Sequence, residues 1–173
     1  MTLSATQLLV PTSTAMLTNI KTWLDKAAAG DEAALVEARL APDMYALARQ
    51  VQIASDTAKG CGARLAGVEA PSMPDTEASF AELKERCDKT IAFLQSLDPA
   101  AIDAGIGREI EIKFPNGGGI RFDGATYLTG FALPNLYFHA SMVYAILRSQ
   151  GVALGKQDFL AHLAGHMFAP PAA

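Results

Sequence analysis

The sequence is poor in cysteine and in charged residues, and both shortages narrow what the protein can be. Its 173 residues include only two cysteines, Cys61 and Cys87, which lie far apart in the chain. We expect both to be small buried residues of a cytoplasmic protein, with a disulfide between them as the alternative. Charged residues make up 18% of the chain, the net charge is −4, and the basic residues are scattered. We therefore expect no nucleic-acid partner and no anionic membrane surface as a partner.

Long apolar runs and common catalytic motifs are missing as well. No run approaches the roughly 18 apolar residues that a membrane-spanning helix needs, and the N-terminal residues do not resemble a signal peptide. The sequence also lacks the G-x-S-x-G, P-loop, CxxC and dinucleotide-binding glycine patterns. These observations predict no membrane association and give no direct indication of a reaction.

Half of the residues are apolar, which indicates a folded domain rather than a disordered chain. A length of 173 residues suits one domain. We predict a single helical domain over residues 1–168, followed by a short tail over residues 169–173.

Four segments carry apolar residues at the three- and four-residue spacing of an amphipathic helix. They cover residues 5–29, 42–67, 77–97, and a last segment that begins at 124 or 134 and ends at 150. Pro11 should kink the first helix or delay its start, Pro42 should begin the second, and Asp75 or Thr76 should cap the third. The pattern predicts an all-α four-helix bundle.

Between the third and fourth predicted helices the period changes. Residues 109–114 alternate polar and apolar side chains, and a glycine-rich turn follows over 115–119. Residues 120–122 then form the returning strand. This pattern is typical of a small β-hairpin, which must lean on the helices to be stable.

His139 is the residue most able to carry chemistry, because it lies on the apolar stripe of the fourth predicted helix. A buried imidazole needs a hydrogen-bond partner or a ligand. Asn135 lies one turn earlier on the same face, and Gln50 borders the stripe of the second helix. The three side chains are candidates for a polar pocket that binds a small molecule. The alternative is a core histidine bonded to its neighbours, with Asn135 as a local cap.

His162 and His166 form the sequence HxxxH, and on an α-helix they would share one face. Gly165 lies between them and two prolines follow, and no third ligand is evident. We interpret the pair as tail composition, with a weak metal site as the alternative.

Three stretches resemble the DinB-like (YfiT-like) superfamily, in a branch without an assigned function. They are RLAPDMYALARQVQIASDTAKG at 39–60, EIEIKFPNGGGIRFDG at 109–124, and ALPNLYFHASMVYAILRSQGVALGKQDFL at 132–160. The resemblance runs from the first helix to about Leu160 and implies a DinB-like four-helix bundle, often a homodimer. Better-known relatives hold a divalent metal with three histidines, one from the second helix and two from an HxxxH on the fourth. Some of those relatives are thiol-dependent transferases or isomerases.

Within this resemblance His139 matches the second histidine of the HxxxH pair, the first falls on Asn135, and the ligand of the second helix falls near Gln50. The chain thus keeps at most one of three ligands, and we expect no metal and no other cofactor. The leading hypothesis is a small-molecule-binding or stress-related accessory protein. The alternatives are a metal-dependent transferase that uses a low-molecular-weight thiol, and a structural homodimer without a site.

Overall fold

The computed structural model describes residues 3–114 and 116–168, which form a helical bundle with one inserted two-stranded hairpin. This confirms the predicted all-α fold and the position of the hairpin. The predicted tail, residues 169–173, lies outside the described residues. The helices are α1 (Ala5–Ala27), α2 (Glu32–Glu37), α3 (Leu47–Ala66), α4 (Phe80–Ser96), α5 (Pro99–Ala104), α6 (Gly124–Thr126), α7 (Leu133–Ser149) and α8 (Lys156–Phe159); the strands are β1 (Glu109–Lys113) and β2 (Gly119–Asp123).

The four long helices α1, α3, α4 and α7 form the bundle. Helix α3 packs against α7 on one side and α4 on the other, and α1 closes the ring against α4 and α7. One contiguous apolar core runs between them, with Trp23, Leu47 and Leu83 fully buried in it. The pairing of α3 with α7 brings the second and fourth predicted helices side by side.

Helix α1 begins at Ala5, so the delayed start expected from Pro11 is wrong. The reason is a capping box, in which Ser4 accepts from the Gln7 amide and the Gln7 side chain accepts from the Ser4 amide. Pro11 lies inside the helix and removes one donor. Burial of residues such as Leu9 and Met16 on both sides of Pro11 outweighs that loss.

Two other predicted starts are also wrong. Helix α3 begins at Leu47 and not at Pro42, because Met44 donates to the Ala41 carbonyl in a turn and Ala46 is extended. Helix α4 begins at Phe80 and not at residue 77, because Ser79 rather than Asp75 or Thr76 caps it. The Ser79 side chain accepts from the Glu82 amide, and the Glu82 carboxylate accepts from the Ser79 amide.

The hairpin pairs β1 with β2 antiparallel, from Glu109 opposite Asp123 to Lys113 opposite Gly119. Its turn contains Gly117 in the left-handed region at φ 84°, which favours glycine. The hairpin leans on the bundle through buried Ile110 and through Phe122, whose ring lies 5.8 Å from that of Tyr127. This agrees with the need of so short a hairpin for external support.

The fourth predicted helix is continuous but not uniform. Helix α6 runs into a π-helix at Tyr127–Ala132, which runs into α7, where Pro134 lies in the first turn. The first of the two alternative starts, at residue 124, therefore describes the whole helical stretch. Within the described part of the chain, no helix is long and apolar enough to cross a membrane.

Candidate functional site

The contact between α3 and α7 joins two of the three residues singled out in the sequence. The Nδ1 atom of His139 on α7 lies 2.7 Å from the Oε1 atom of Gln50 on α3. Both side chains are buried, with 7% of His139 and 1% of Gln50 exposed. A hydrogen bond of this length across a helix interface holds the imidazole in one orientation.

The neighbours of Gln50 determine which ring nitrogen carries the proton. The Nε2 amide of Gln50 donates to the backbone carbonyl of Tyr45 at 3.2 Å, and a carbonyl can only accept. The Oε1 atom of Gln50 therefore faces the ring as an acceptor, so Nδ1 of His139 is the donor. In the neutral ring this leaves the lone pair on Nε2, and no group within residues 3–114 and 116–168 hydrogen-bonds Nε2.

The electrostatic surroundings keep this ring neutral. Burial lowers the pKa of His139 below its ordinary value of 6.5, and the positive charge of Arg49 lowers it further. At pH 7 the side chain is thus an uncharged imidazole that offers Nε2 as a hydrogen-bond acceptor or as a base.

Asn135 has a different partner. Its Nδ2 atom donates to Oγ1 of Thr57 on α3 at 2.8 Å, and it makes no hydrogen bond to His139 or Gln50. Asn135 is half-buried in a second polar link between α3 and α7. Of the three candidate residues, the structure joins Gln50 and His139 directly and holds Asn135 one helical turn away.

The donor set does not fit the three-histidine metal site that the resemblance implies. At the three matching positions only His139 offers a nitrogen lone pair, and the Gln50 oxygen is already bonded to that ring. The Asn135 amide nitrogen donates to Thr57, so its amide oxygen is the atom that could face a metal. Across residues 3–114 and 116–168 no three His, Cys, Asp or Glu side chains are arranged to hold a metal ion. An amide oxygen is a poor zinc ligand, so neither Gln50 nor Asn135 replaces a histidine.

His162 and His166 do not share a face. They lie on a 3₁₀-helix, Ala161–His166, in which residues three apart are aligned and residues four apart diverge. Both side chains are exposed. The geometry therefore separates the two members of the HxxxH sequence.

One exposed aromatic ring lies against His139, and a second aromatic residue is bonded to Gln50 through its backbone. Phe138 is more than half exposed, and its ring stands edge-on to the His139 ring with centroids 5.2 Å apart. Tyr45, whose carbonyl binds Gln50, is also more than half exposed. The exposed Phe138 ring beside the His139 ring is suited to contact with a ligand.

The two cysteines are free and buried, so the disulfide alternative is wrong. Burial raises the pKa of both the Cys61 and the Cys87 thiol to about 12. The thiolate is the reactive form, so neither side chain is a nucleophile in the folded protein.

Sequence reasoning missed a buried charge cluster around Arg86 on α4. The Arg86 guanidinium is 2% exposed and bonds to Asp56 at 2.8 Å, Asp75 at 2.9 Å and Glu77 at 2.8 Å. It also donates to the Pro74 carbonyl. The signal available in the sequence was an arginine next to Cys87 on the apolar stripe of the third helix. Its acidic partners come from α3 and from the loop before α4, which local patterns do not connect.

This cluster fixes the loop before α4 to the bundle. Asp75 is shared between Arg86 and Arg49, and Glu77 also accepts from Gln52 on α3 at 3.0 Å. A cavity of about 560 Å³ lies between the loop and α4, with Met73, Arg86 and Lys89 among its lining residues. This cavity is separate from the His139–Gln50 pair, neither member of which lines it.

Comparison with known proteins places these features in a family. The model of the family described as domain of unknown function (DUF1993) matches residues 6–160. The chain is also similar to a protein of known structure, described as the crystal structure of a DinB family member protein from Shewanella denitrificans at 1.83 Å resolution. The two are 37% identical, the similarity covers 97% of this chain and 94% of that chain, and the TM-score is 0.81. No curated protein matches the chain.

Proposed function

Because the chain belongs to the DUF1993 family and to the DinB-like superfamily, we propose that it is a small-molecule-binding accessory member that works without the three-histidine metal site. The observation that carries the proposal is the orientation of His139. Gln50 holds Nδ1 of the ring, and Nε2 has no partner within the described part of the chain. Nε2 does not belong to the described buried polar atoms that lack a partner, so solvent or a ligand can reach it as a hydrogen-bond acceptor.

The surroundings favour binding over catalysis by metal or thiol. His139 is neutral, since burial and Arg49 lower its pKa, so it accepts a hydrogen bond from a ligand N–H or O–H group. The exposed ring of Phe138 beside His139 supplies apolar contact area. In this proposal His139 is the ligand-contacting residue and Gln50 is a positioning residue.

A screen of metabolites by thermal shift tests the proposal, with elemental analysis of the purified protein beside it. A ligand at about 100 times its Kd stabilises the native state by about 2.7 kcal/mol, which raises Tm by about 5–10 °C for a domain of this size. We expect this shift to be lost in His139→Gln, which removes the ring acceptor. His162→Gln is the matched control, because it removes an exposed histidine elsewhere.

Stoichiometric zinc or nickel in the purified protein, lost in His139→Ala with the fold intact, would contradict the proposal and favour the metal-dependent alternative. A ligand whose thermal shift is equal in His139→Gln and the parent protein would place binding elsewhere. The YfiT-like branch, the homodimer and the cytoplasmic location stay predictions. Sedimentation equilibrium of the purified protein tests the homodimer.

A further inference from the structure

Helices α3 and α4 run in the same direction, so the connection between them has to return along their length. Ser55 of α3 lies 2.7 Å from Thr90 of α4, and further along both helices Gly62 lies against Leu94. Because α3 has 20 residues, it is about 30 Å long. The connection, residues 67–79 (the strap), therefore runs back over most of this length before α4 begins.

The strap is attached to the bundle by side chains. Within the part of the chain that the structure describes, residues 69–77 take part in no backbone–backbone hydrogen bond. Arg86 of α4 donates to the Pro74 carbonyl and pairs with Asp75 and Glu77, and each of these carboxylates has one further partner on α3. A segment without hydrogen bonds of its own can open at a lower free energy than the helices beneath it.

The closed strap leaves one atom of Arg86 unsatisfied. The Nε atom is buried, and among the described residues it has no hydrogen-bond partner. A buried N–H group without a partner costs free energy, which hydration recovers when the strap opens. The closed position is thus stabilised through the Nη atoms of Arg86 and destabilised at Nε.

We propose that the strap opens as one unit while the bundle stays folded, that Arg86 is its latch, and that this motion controls access to the cavity of about 560 Å³ between the strap and α4. Pro71 and Met73 of the strap and Lys89 of α4 line this cavity together with Arg86. The latch consists of hydrogen bonds and ion pairs, so no covalent bond changes on opening. The motion is independent of the ligand proposed for His139, which does not line this cavity.

Thr90 is the position from which the opening can be measured. Its side chain is fully buried, and its Oγ1 atom lies 3.8 Å from the Met73 sulfur of the strap. Thr90→Cys places a thiol of similar size there. The folded variant is treated with iodoacetamide, and peptide mass spectrometry compares the labelling rate of the introduced thiol with those of buried Cys61 and Cys87. We expect the introduced thiol to react at least about tenfold faster, because the other two become accessible only on unfolding.

A second substitution tests the latch. Glu77→Gln removes a carboxylate that Arg86 holds at 2.8 Å, and should raise the labelling rate of the introduced thiol relative to Cys61 and Cys87 about tenfold. Glu85→Gln is the matched control, because Glu85 lines the same cavity but pairs with exposed Lys89 of its own helix. It should leave this ratio of rates unchanged.

Arg86 reports the same motion in the parent protein. In protein labelled with ¹⁵N-arginine, NMR follows the exchange of the Nε–H proton with solvent, with exposed Arg148 as the reference. After correction for intrinsic rates, we expect Arg86 to exchange more slowly than Arg148 and faster than a core backbone amide such as that of Val143.

Labelling of the introduced thiol at the rates of Cys61 and Cys87 would overturn the proposal, because the strap would then open only with the whole bundle. Equal effects of Glu77→Gln and Glu85→Gln would show that Arg86 is not the latch. If Thr90→Cys does not fold, the exchange measurement decides. Exchange of the Arg86 Nε–H as slow as that of the Val143 amide, or as fast as that of Arg148, would overturn the proposal.

Discussion

Replacing Arg86 with methionine should cost the bundle far more stability than the loss of an ordinary arginine. Methionine keeps the length and apolar stem of the side chain but removes the guanidinium from its bonds to Asp56, Asp75 and Glu77. Breaking a buried ion pair by removing one partner costs about 3–5 kcal/mol, because the remaining charge is left without compensation. The three carboxylates do not contribute equally to this loss.

Two of the carboxylates have substitute partners. Asp56 and Asp75 are 39% and 37% exposed, and they keep Lys59 and Arg49 respectively. Solvent screens both, so their share of the loss is small. Glu77 is 12% exposed and, among the residues that the structure describes, would keep the side-chain amide of Gln52 alone. We therefore expect Arg86→Met to lower the free energy of unfolding by about 3 kcal/mol, most of it through Glu77.

Urea denaturation followed by circular dichroism measures this change, as a lower midpoint at an unchanged m-value. Lys89→Met is the matched control on the same helix, since its exposed pair with Glu85 should cost less than about 0.5 kcal/mol. Adding Glu77→Gln to Arg86→Met should recover part of the loss. A cost for Arg86→Met below about 1 kcal/mol, or no recovery in the double variant, would refute the assignment of the loss to a buried uncompensated Glu77.

Three further predictions concern single side chains. The pKa of His139 in the folded protein lies below its unfolded value of 6.5, so the unfolded state binds more protons and stability should fall as the pH drops below about 6.5. The urea midpoint of His139→Gln should fall less over that pH range than the midpoint of the parent protein. An equal fall in both proteins would contradict the burial of a neutral ring. Ser79→Ala should cost about 1 kcal/mol in urea by removing the cap of α4, whereas Thr76→Ala should cost almost nothing, and the reverse order would restore the cap expected from the sequence. Cys61 and Cys87 should react with a thiol reagent only after unfolding, because burial raises their pKa to about 12; rapid labelling of the native protein would contradict this.

The fold was largely predictable because the patterns that specify its helices and strands lie within short stretches of the sequence. Apolar spacing gave the four long helices, and alternation over residues 109–114 gave the hairpin. The starts of α3 and α4 were predicted wrongly because several neighbouring residues suit the start of a helix. Pro42 and Thr76 suit it by residue type, but the helices begin at Leu47 and Phe80. The Ser79–Glu82 capping box was readable in the sequence and overlooked.

The candidate site was only partly predictable. Periodicity placed His139 and Gln50 on inward faces, but it could not reveal that Gln50 also binds the Tyr45 carbonyl, which sets the tautomer of the ring. Nor could it show that Asn135 bonds to Thr57. The charges around Arg86 come together only when α3, α4 and the intervening loop pack, so their pairing is a property of the tertiary structure.

The π-helix at Tyr127–Ala132 can lose a residue without shifting the helix that follows it, α7. A wide turn holds more residues per hydrogen-bonded ring than an α-turn, so it can tighten when one residue is removed. Deleting Gly130 should therefore be absorbed upstream of Leu133, leaving His139 opposite Gln50. Deleting one residue of α7 between Leu133 and His139 would instead rotate the imidazole by about 100° around the helix axis. The two deletion variants should therefore differ sharply in thermal stability.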